Sequence, residues 1–222
     1  SSFIISGRRT YADLFLGLTE QFQGSELFFY DLNMKANYQI NKNNRIYLSG
    51  YFGRDILGLN NSFGTNWGNA SGTLRWNSII SNKLFSNTSL IYSNYNYDIS
   101  FQNEVVNVGL KSKIQDWNLK KDFSWYASDN HFIRFGVNTI HHTIAPANIT
   151  GSLSSSFPRK SRTSLEKAIY INDDHKVTEK LTLSYGLRIS AFTILGGDTY
   201  RIYEKGELKD SVQLTKGAWG KT

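Results

Sequence analysis

The residues best able to do chemistry in this 222-residue chain are few, and their spacing argues against catalysis. His141 and His142, taken with Asp173, Asp174 and His175, have the donor types of a metal site. Neighbouring residues of a strand project to opposite faces, so the two adjacent histidines cannot bind one ion without distortion, and polar residues near strand ends are expected instead. His142 could serve a Ser–His hydrolase, yet no serine and acid accompany it in a recognisable signature. GAWGKT at 217–222 has the residue types of a phosphate-binding loop, but only Ala218 and Trp219 separate glycines that should have four residues between them and a helix afterwards. Cysteine is absent, which removes thiol nucleophiles, thiolate metal sites and disulfides. No catalytic, cofactor-binding or metal-ligating residue is expected, and the chain is expected not to be an enzyme.

What remains is charge. The chain has 25 Lys and Arg against 18 Asp and Glu, a formal net charge of +7. These charges are dispersed: Arg8-Arg9, Lys120-Lys121 and the Arg159, Lys160, Arg162 group are too short to form a nucleic-acid patch, so no nucleic-acid partner is expected. Arg8, Arg9, Arg75, Arg134 and Arg188 stand out as groups that could guide anionic or polar solutes. Ion pairs with Asp31, Asp55, Asp116 or Asp122 on neighbouring strands are the structural alternative for each.

The elements that position these charges are strands. From Leu181 to Ser190 the residues Leu181, Leu183, Tyr185, Leu187 and Ile189 alternate without a break against Thr182, Ser184, Gly186, Arg188 and Ser190, which only an extended chain sorts onto two faces. The same period returns in DLNMKANYQI, RIYLSGYFG and SGTLRWNSI. About nine long strands are predicted, near 2–9, 27–40, 45–56, 68–80, 84–97, 104–125, 131–144, 165–175 and 181–194. Tight polar connections fall at 41–44, 81–83, 127–130 and 177–180. Long irregular connections are expected at 10–26, 57–67 and 145–164, with another starting at 195. The fold class expected is all-β, an antiparallel up-and-down meander forming part of a transmembrane β-barrel, with short turns at one end and longer loops at the other. Only 2 prolines interrupt these ladders. The mean hydropathy of -0.40 fits alternation, in which window averages cancel, and no run of roughly 20 apolar residues could form a membrane helix.

Energy assigns the faces. An Arg or Lys at the bilayer midplane costs roughly 2–4 kcal/mol, so Lys35, Arg75, Arg134 and Arg188 are expected to face an aqueous lumen. Tyr38, Tyr92, Trp117, Trp125 and Tyr126 are expected at headgroup level, Trp125 and Tyr126 as a girdle pair beside the 127–130 turn. KSKIQDWNLKKDFSWY fits less well. Lys121 shares a face with Trp117, Leu119 and Phe123, and Ile114 falls out of phase, so a bulge near Gln115 and a Lys121 reaching to the interface are expected.

SFIISGRRTYADL, FFYDLNMKANYQINKNNRIYLSGYFGRD, GNASGTLRWNSIISNKLFSNTSLIYSNYNY and AIYINDDHKVTEKLTLSYGLRIS, in that order, resemble the barrel of TonB-dependent outer-membrane receptors of the Bacteroidetes type. The resemblance implies a 22-stranded barrel plugged by a globular domain that contacts TonB. This sequence holds no plug, no TonB box and well under half the strands, so it is expected to be an internal barrel segment of a mature or excised chain. The location implied is the cell outer membrane, with lipid, TonB acting through the plug, a surface lipoprotein and a small-molecule or glycan nutrient as partners. Ligand capture is expected in the loops at 10–26 and 145–164, the latter holding SLSSSFPRKSR. A passive porin and a soluble carbohydrate-binding sandwich are the alternatives.

Overall fold

The computed structural model describes residues 1–60, 62–103, 105–152 and 161–195, together with the backbone of 199–204 and 207–213. Nine strands carry the fold: β1 (Ser2–Arg9), β2 (Glu26–Asn41), β3 (Asn44–Leu59), β4 (Phe63–Ser81), β5 (Leu84–Gln102), β6 (Asn107–Ser128), β7 (His131–Gly151), β8 (Arg162–Thr178) and β9 (Leu181–Leu195). They form one antiparallel sheet in sequence order, and among the described residues β1 and β9 do not pair with each other, so the sheet is open. This is the all-β meander that the alternation predicts.

Several strands outrun their predicted ends. The segment expected as a loop at 57–67 is mostly ladder: Leu57 pairs with Thr65 and Leu59 with Phe63, leaving only residues 60–62 as the connection. Asn60 turns that corner at φ 45, a left-handed conformation asparagine tolerates well. The connection expected as long at 10–26 contains α1 (Ala12–Leu16) and a 3-10 turn at Glu20–Phe22. Beyond 195, where an irregular stretch was expected, β10 (Thr199–Glu204) and β11 (Glu207–Gln213) form a separate hairpin. Strand β7 runs on to Gly151, and residues 153–160 of the SLSSSFPRKSR loop lie outside the described residues, as does GAWGKT.

The four turns at one end repeat a single design. Each has two central residues, Lys42-Asn43, Asn82-Lys83, Asp129-Asn130 and Glu179-Lys180. In each, the side-chain oxygen of the residue before them accepts the backbone N–H two positions on. Asn41 accepts from Asn43, Ser81 from Lys83, Ser128 from Asn130 and Thr178 from Lys180. Short polar side chains favour turns through this bond. A register irregularity accompanies every one, at 39/41, 79/81, 126/128 and 176/178.

Because directly opposed residues share a face, the pairing fixes both surfaces of the sheet. One carries Leu48, Leu74, Leu90 and Leu119 in a single row. The other carries Ser49, Thr73, Asn118 and similar residues. Very little is buried: Ala168 is the one buried apolar residue among those described, while Leu187, Ile189, Ile169 and Ile171 are all more than half exposed. Apolar side chains here meet the surroundings, not a core.

The difficult strand resolves differently from the expectation. No bulge occurs near Gln115; β5 and β6 pair continuously there, and Ile114 faces the polar side opposite Tyr95. The irregularity lies instead between Lys111 and Lys113, against β7. Lys121 stays on the apolar face with its ammonium 5.3 Å from the centre of the Phe123 ring.

The register is directly testable because the chain has no cysteine. Leu90→Cys combined with Leu119→Cys should oxidise to a disulfide, whereas Leu90→Cys with Asn118→Cys should not, since a one-residue offset puts the two thiols on opposite faces. Mobility on a non-reducing gel reads the outcome.

Candidate functional site

Lys35, Arg75, Arg134 and Arg188 all lie on the polar face. Lys35 opposes Ser49, which opposes Thr73; Arg75 opposes Tyr47 and Ser89; Arg134 opposes Ser124 and Asn172; Arg188 opposes Tyr170. The structure does not bring the four together. They divide into two groups of different electrostatic character.

On β6 to β9 the cations are neutralised. Arg134 Nη2 lies 2.7 Å from Asp174 Oδ2 and its guanidinium rests on the Phe132 ring. Asp174 also accepts from the Ser184 hydroxyl and, at 3.3 Å, from the Asn172 amide. Arg188 Nη2 is 3.9 Å from Glu166 Oε1, and its guanidinium stands 5.5 Å from the centre of the Tyr170 ring. Glu166 Oε2 faces His142 Nε2 at 3.9 Å, and His142 Nδ1 is 2.8 Å from Asp116 Oδ1. The Tyr170 hydroxyl donates to Asp122, which pairs with Lys120 at 3.1 Å. The network around Arg188, Glu166, His142 and Tyr170 thus crosses the four strands β6 to β9.

On β2 to β4 the cations are free. Among the described residues neither Lys35 nor Arg75 has a carboxylate partner. Both border one shallow depression whose other walls include Asn37, Tyr47, Ser49 and Thr73. Two cations beside hydroxyl and amide groups can hold an anion, or water. Of the other arginines, Arg8 Nε binds Asp31 across β1 and β2, the pairing anticipated as the structural alternative. Arg9 pairs instead with Asp13 of α1.

The candidate metal residues separate as adjacent positions must. His142 joins the polar network, while His141 is on the apolar face opposite Trp117. Asp173 is also on the apolar face, where His131 Nδ1 lies 2.7 Å from it and the Tyr185 hydroxyl donates to it at 2.9 Å. His131 stacks on His175 with ring centres 4.2 Å apart. No metal-holding group of three or more ligands exists among the described residues.

Sequence reasoning missed the partners of His142. Asp116 and Ser164 directly oppose it on its two sides, which looks like an acid, a base and a hydroxyl in line. No hydrogen bond joins Ser164 to the imidazole, however, and Ser164 is buried. Only cross-strand register reveals Asp116, twenty-six residues away in sequence.

Trp125 and Tyr126 do not form a girdle pair: adjacent on β6, they point to opposite faces. Tyr126 packs on the polar side against Phe85 and Phe132, at ring-centre distances of 5.9 and 4.6 Å. Tyr92 and Trp117 do pair on the apolar face, 4.7 Å apart. No family model, curated protein or solved structure matches the chain.

Gly136 is the point where the polar network is most sensitive. A Cβ there would lie 2.7 Å from the Tyr170 hydroxyl oxygen and 2.4 Å from the Lys121 carbonyl. Gly136→Ala should displace Tyr170 from Asp122 and destabilise the sheet by about 1–3 kcal/mol. A denaturant titration of the folded chain measures it, with Tyr170→Phe separating the lost hydrogen bond from the steric cost.

Proposed function

We propose that the chain is part of an outer-membrane β-barrel of the TonB-dependent receptor type, contributing wall and lumen to the energised import of a scarce nutrient such as a siderophore complex, a vitamin or a glycan. The observation that carries this reading is the apolar face: aliphatic and aromatic side chains exposed along strands of 15 to 22 residues, with no second layer packed on them among the described residues. A soluble sheet of this size buries such a face against another element.

The apolar face also has the height of a membrane band. On β6 the outward residues run from Trp125 through Phe123, Lys121 and Leu119 to Trp117. Eight residues of strand span about 26 Å, or about 20 Å vertically at a tilt near 40°, close to the roughly 25 Å band bounded by aromatic girdles in outer-membrane barrels. Tyr38 and Trp76 share one row through Ile46, and Tyr92 stands level with Trp117. The two-residue turns would then lie on the periplasmic side, and the described residues 10–25, 60, 62, 103, 105–106, 152 and 161 on the outer side.

The polar face becomes lumen wall, where Lys35 and Arg75 attract anionic or polar solutes and the Arg134 and Arg188 networks stiffen the wall. A passive porin is the second reading, favoured by the same two free cations. Uptake by the full-length protein separates them: loss of uptake without TonB supports the receptor, and unchanged uptake supports the porin.

Membrane placement is tested with single-tryptophan variants in vesicles of brominated lipids. Emission from Trp76, Trp117 and Trp125 should be quenched and that from Trp67, on the polar face, spared. Equal quenching of all four, or of none, would remove the bilayer from the account. In the same vesicles Lys121→Leu should stabilise the chain by about 1–3 kcal/mol, because it removes a cation from the lipid-facing band. Lys120→Leu, one residue away but paired with Asp122, should destabilise it.

A further inference from the structure

Above the Tyr92–Trp117 pair the apolar face changes character within one row. The next opposed residues are Asn94 and Gln115, then Asn96 and Lys113, then Asp98 and Lys111. Arg54 joins the middle of these rows through Gly68, which it opposes on β4 and which in turn opposes Asn96 on β5. Arg54, Lys111 and Lys113 therefore face outward together, beyond the aromatic level and on the long-loop side. Lys113 stands four residues past Trp117, about 13 Å along the strand and about 10 Å higher at the same tilt. That is the depth of lipid headgroups.

We propose that this outward patch binds the phosphate of a phosphorylated glycolipid headgroup in the outer leaflet, an inference that rests on the bilayer placement above. Its charge is unbalanced. Lys111 pairs with Asp98 at 3.0 Å, but Lys113 has no ion-pair partner among the described residues, and Arg54 spends only its Nε, on Asn66 at 2.7 Å. The terminal guanidinium nitrogens remain open to a bidentate acceptor, the geometry in which arginine binds phosphate best.

The patch is also a cradle. Gly68 forms its floor: a Cβ there would come within 3.3 Å of the Asn96 Oδ1 and 3.6 Å of the Arg54 Cγ, so no side chain separates these two. Arg54, Asn66, Asn96, Lys111, Lys113 and Asn148 border one continuous depression. Its amides are donors and acceptors suited to sugar hydroxyls beside a phosphate. One row below, the Asn94 side-chain oxygen is shielded from solvent and has no donor within the protein. The lower edge of the cradle meets apolar rings and its upper edge meets cations, which is the order of chemistry along a lipid from acyl chain to phosphate.

The test uses the chain in phosphatidylethanolamine vesicles containing either bis-phosphorylated lipid A or its phosphate-free analogue. Lipid retained per chain is read by native mass spectrometry, with bromolipid quenching of Trp117 recorded on the same sample. Preferential retention of the phosphorylated form, reduced at least tenfold by Arg54→Gln with Lys113→Gln and unchanged by Lys42→Gln with Lys83→Gln in the turns, supports the proposal, since each surface cation contributes roughly fivefold. Quenched Trp117 with equal retention of both lipids overturns it and leaves the bilayer placement standing. Displacement of the lipid by millimolar inorganic phosphate assigns the patch to free anions and overturns the lipid as occupant. Absence of quenching removes both readings together.

Discussion

The whole structure depends on an antiparallel hydrogen-bond ladder that satisfies its backbone almost without help from a side-chain core. From Asn44 against Ser78 to Leu59 against Phe63 the β3–β4 pairing is unbroken. With Ala168 the one buried apolar residue among those described, hydrophobic packing within the chain cannot be the main reason these strands stay together. In hydrocarbon the balance is different. An unpaired peptide group there costs several kcal/mol, so pairing is enforced by the surroundings, and length of ladder matters more than depth of core.

A ladder alone does not choose its register, and a one-residue slip would exchange the two faces. A one-residue slip of β2, β4, β7 or β9 would carry Lys35, Arg75, Arg134 or Arg188 respectively to the apolar side, each at roughly 2–4 kcal/mol if that side meets lipid. The four matched turns act against slipping from the other direction. Each one spends a serine, threonine or asparagine oxygen on the corner N–H and places a register irregularity at the same level. Corner chemistry and charge partition therefore specify one register.

Period-two alternation made the strand count, the order and the two faces legible in the sequence, and the polar two-residue turns gave the hairpins. Strand ends on the loop side were not legible. LGLNNSFGTNWG reads as a loop from its glycines and asparagines, yet Leu57–Leu59 pairs with Phe63–Thr65 and β5 offers a partner from Phe63 onward, and pairing overrides propensity. Tyr126 was misplaced for another reason: an aromatic beside a turn suggests a girdle, while strict alternation from Trp125 puts it across the sheet. The bulge assumed at Gln115 came from treating Ile114 as a lipid-facing residue, when apolar side chains such as Tyr95 and Ile144 also occupy the polar side. Asp116 beside His142, and Glu166 beside Arg188, are contacts of register and could not be found from local spacing.

The uneven distribution of paired charge gives the polar face a direction. Across β6 to β9 every cation examined as a site residue meets an acid, and rings cover the stems, so that region gains stiffness and loses its pull on solutes. Across β2 to β4 Lys35 and Arg75 keep their charge beside Ser49, Thr73 and Asn37. An unpaired cation in a low-dielectric wall is sustainable only with water or an anion beside it, because the cost of desolvating it exceeds what any single hydroxyl returns. The β2–β4 side of the polar face must therefore be wet or occupied, while the β6–β9 side can stay closed upon itself. On the proposed lumen reading, a solute passing along this face would meet its attraction on one side and a rigid, neutral surface on the other.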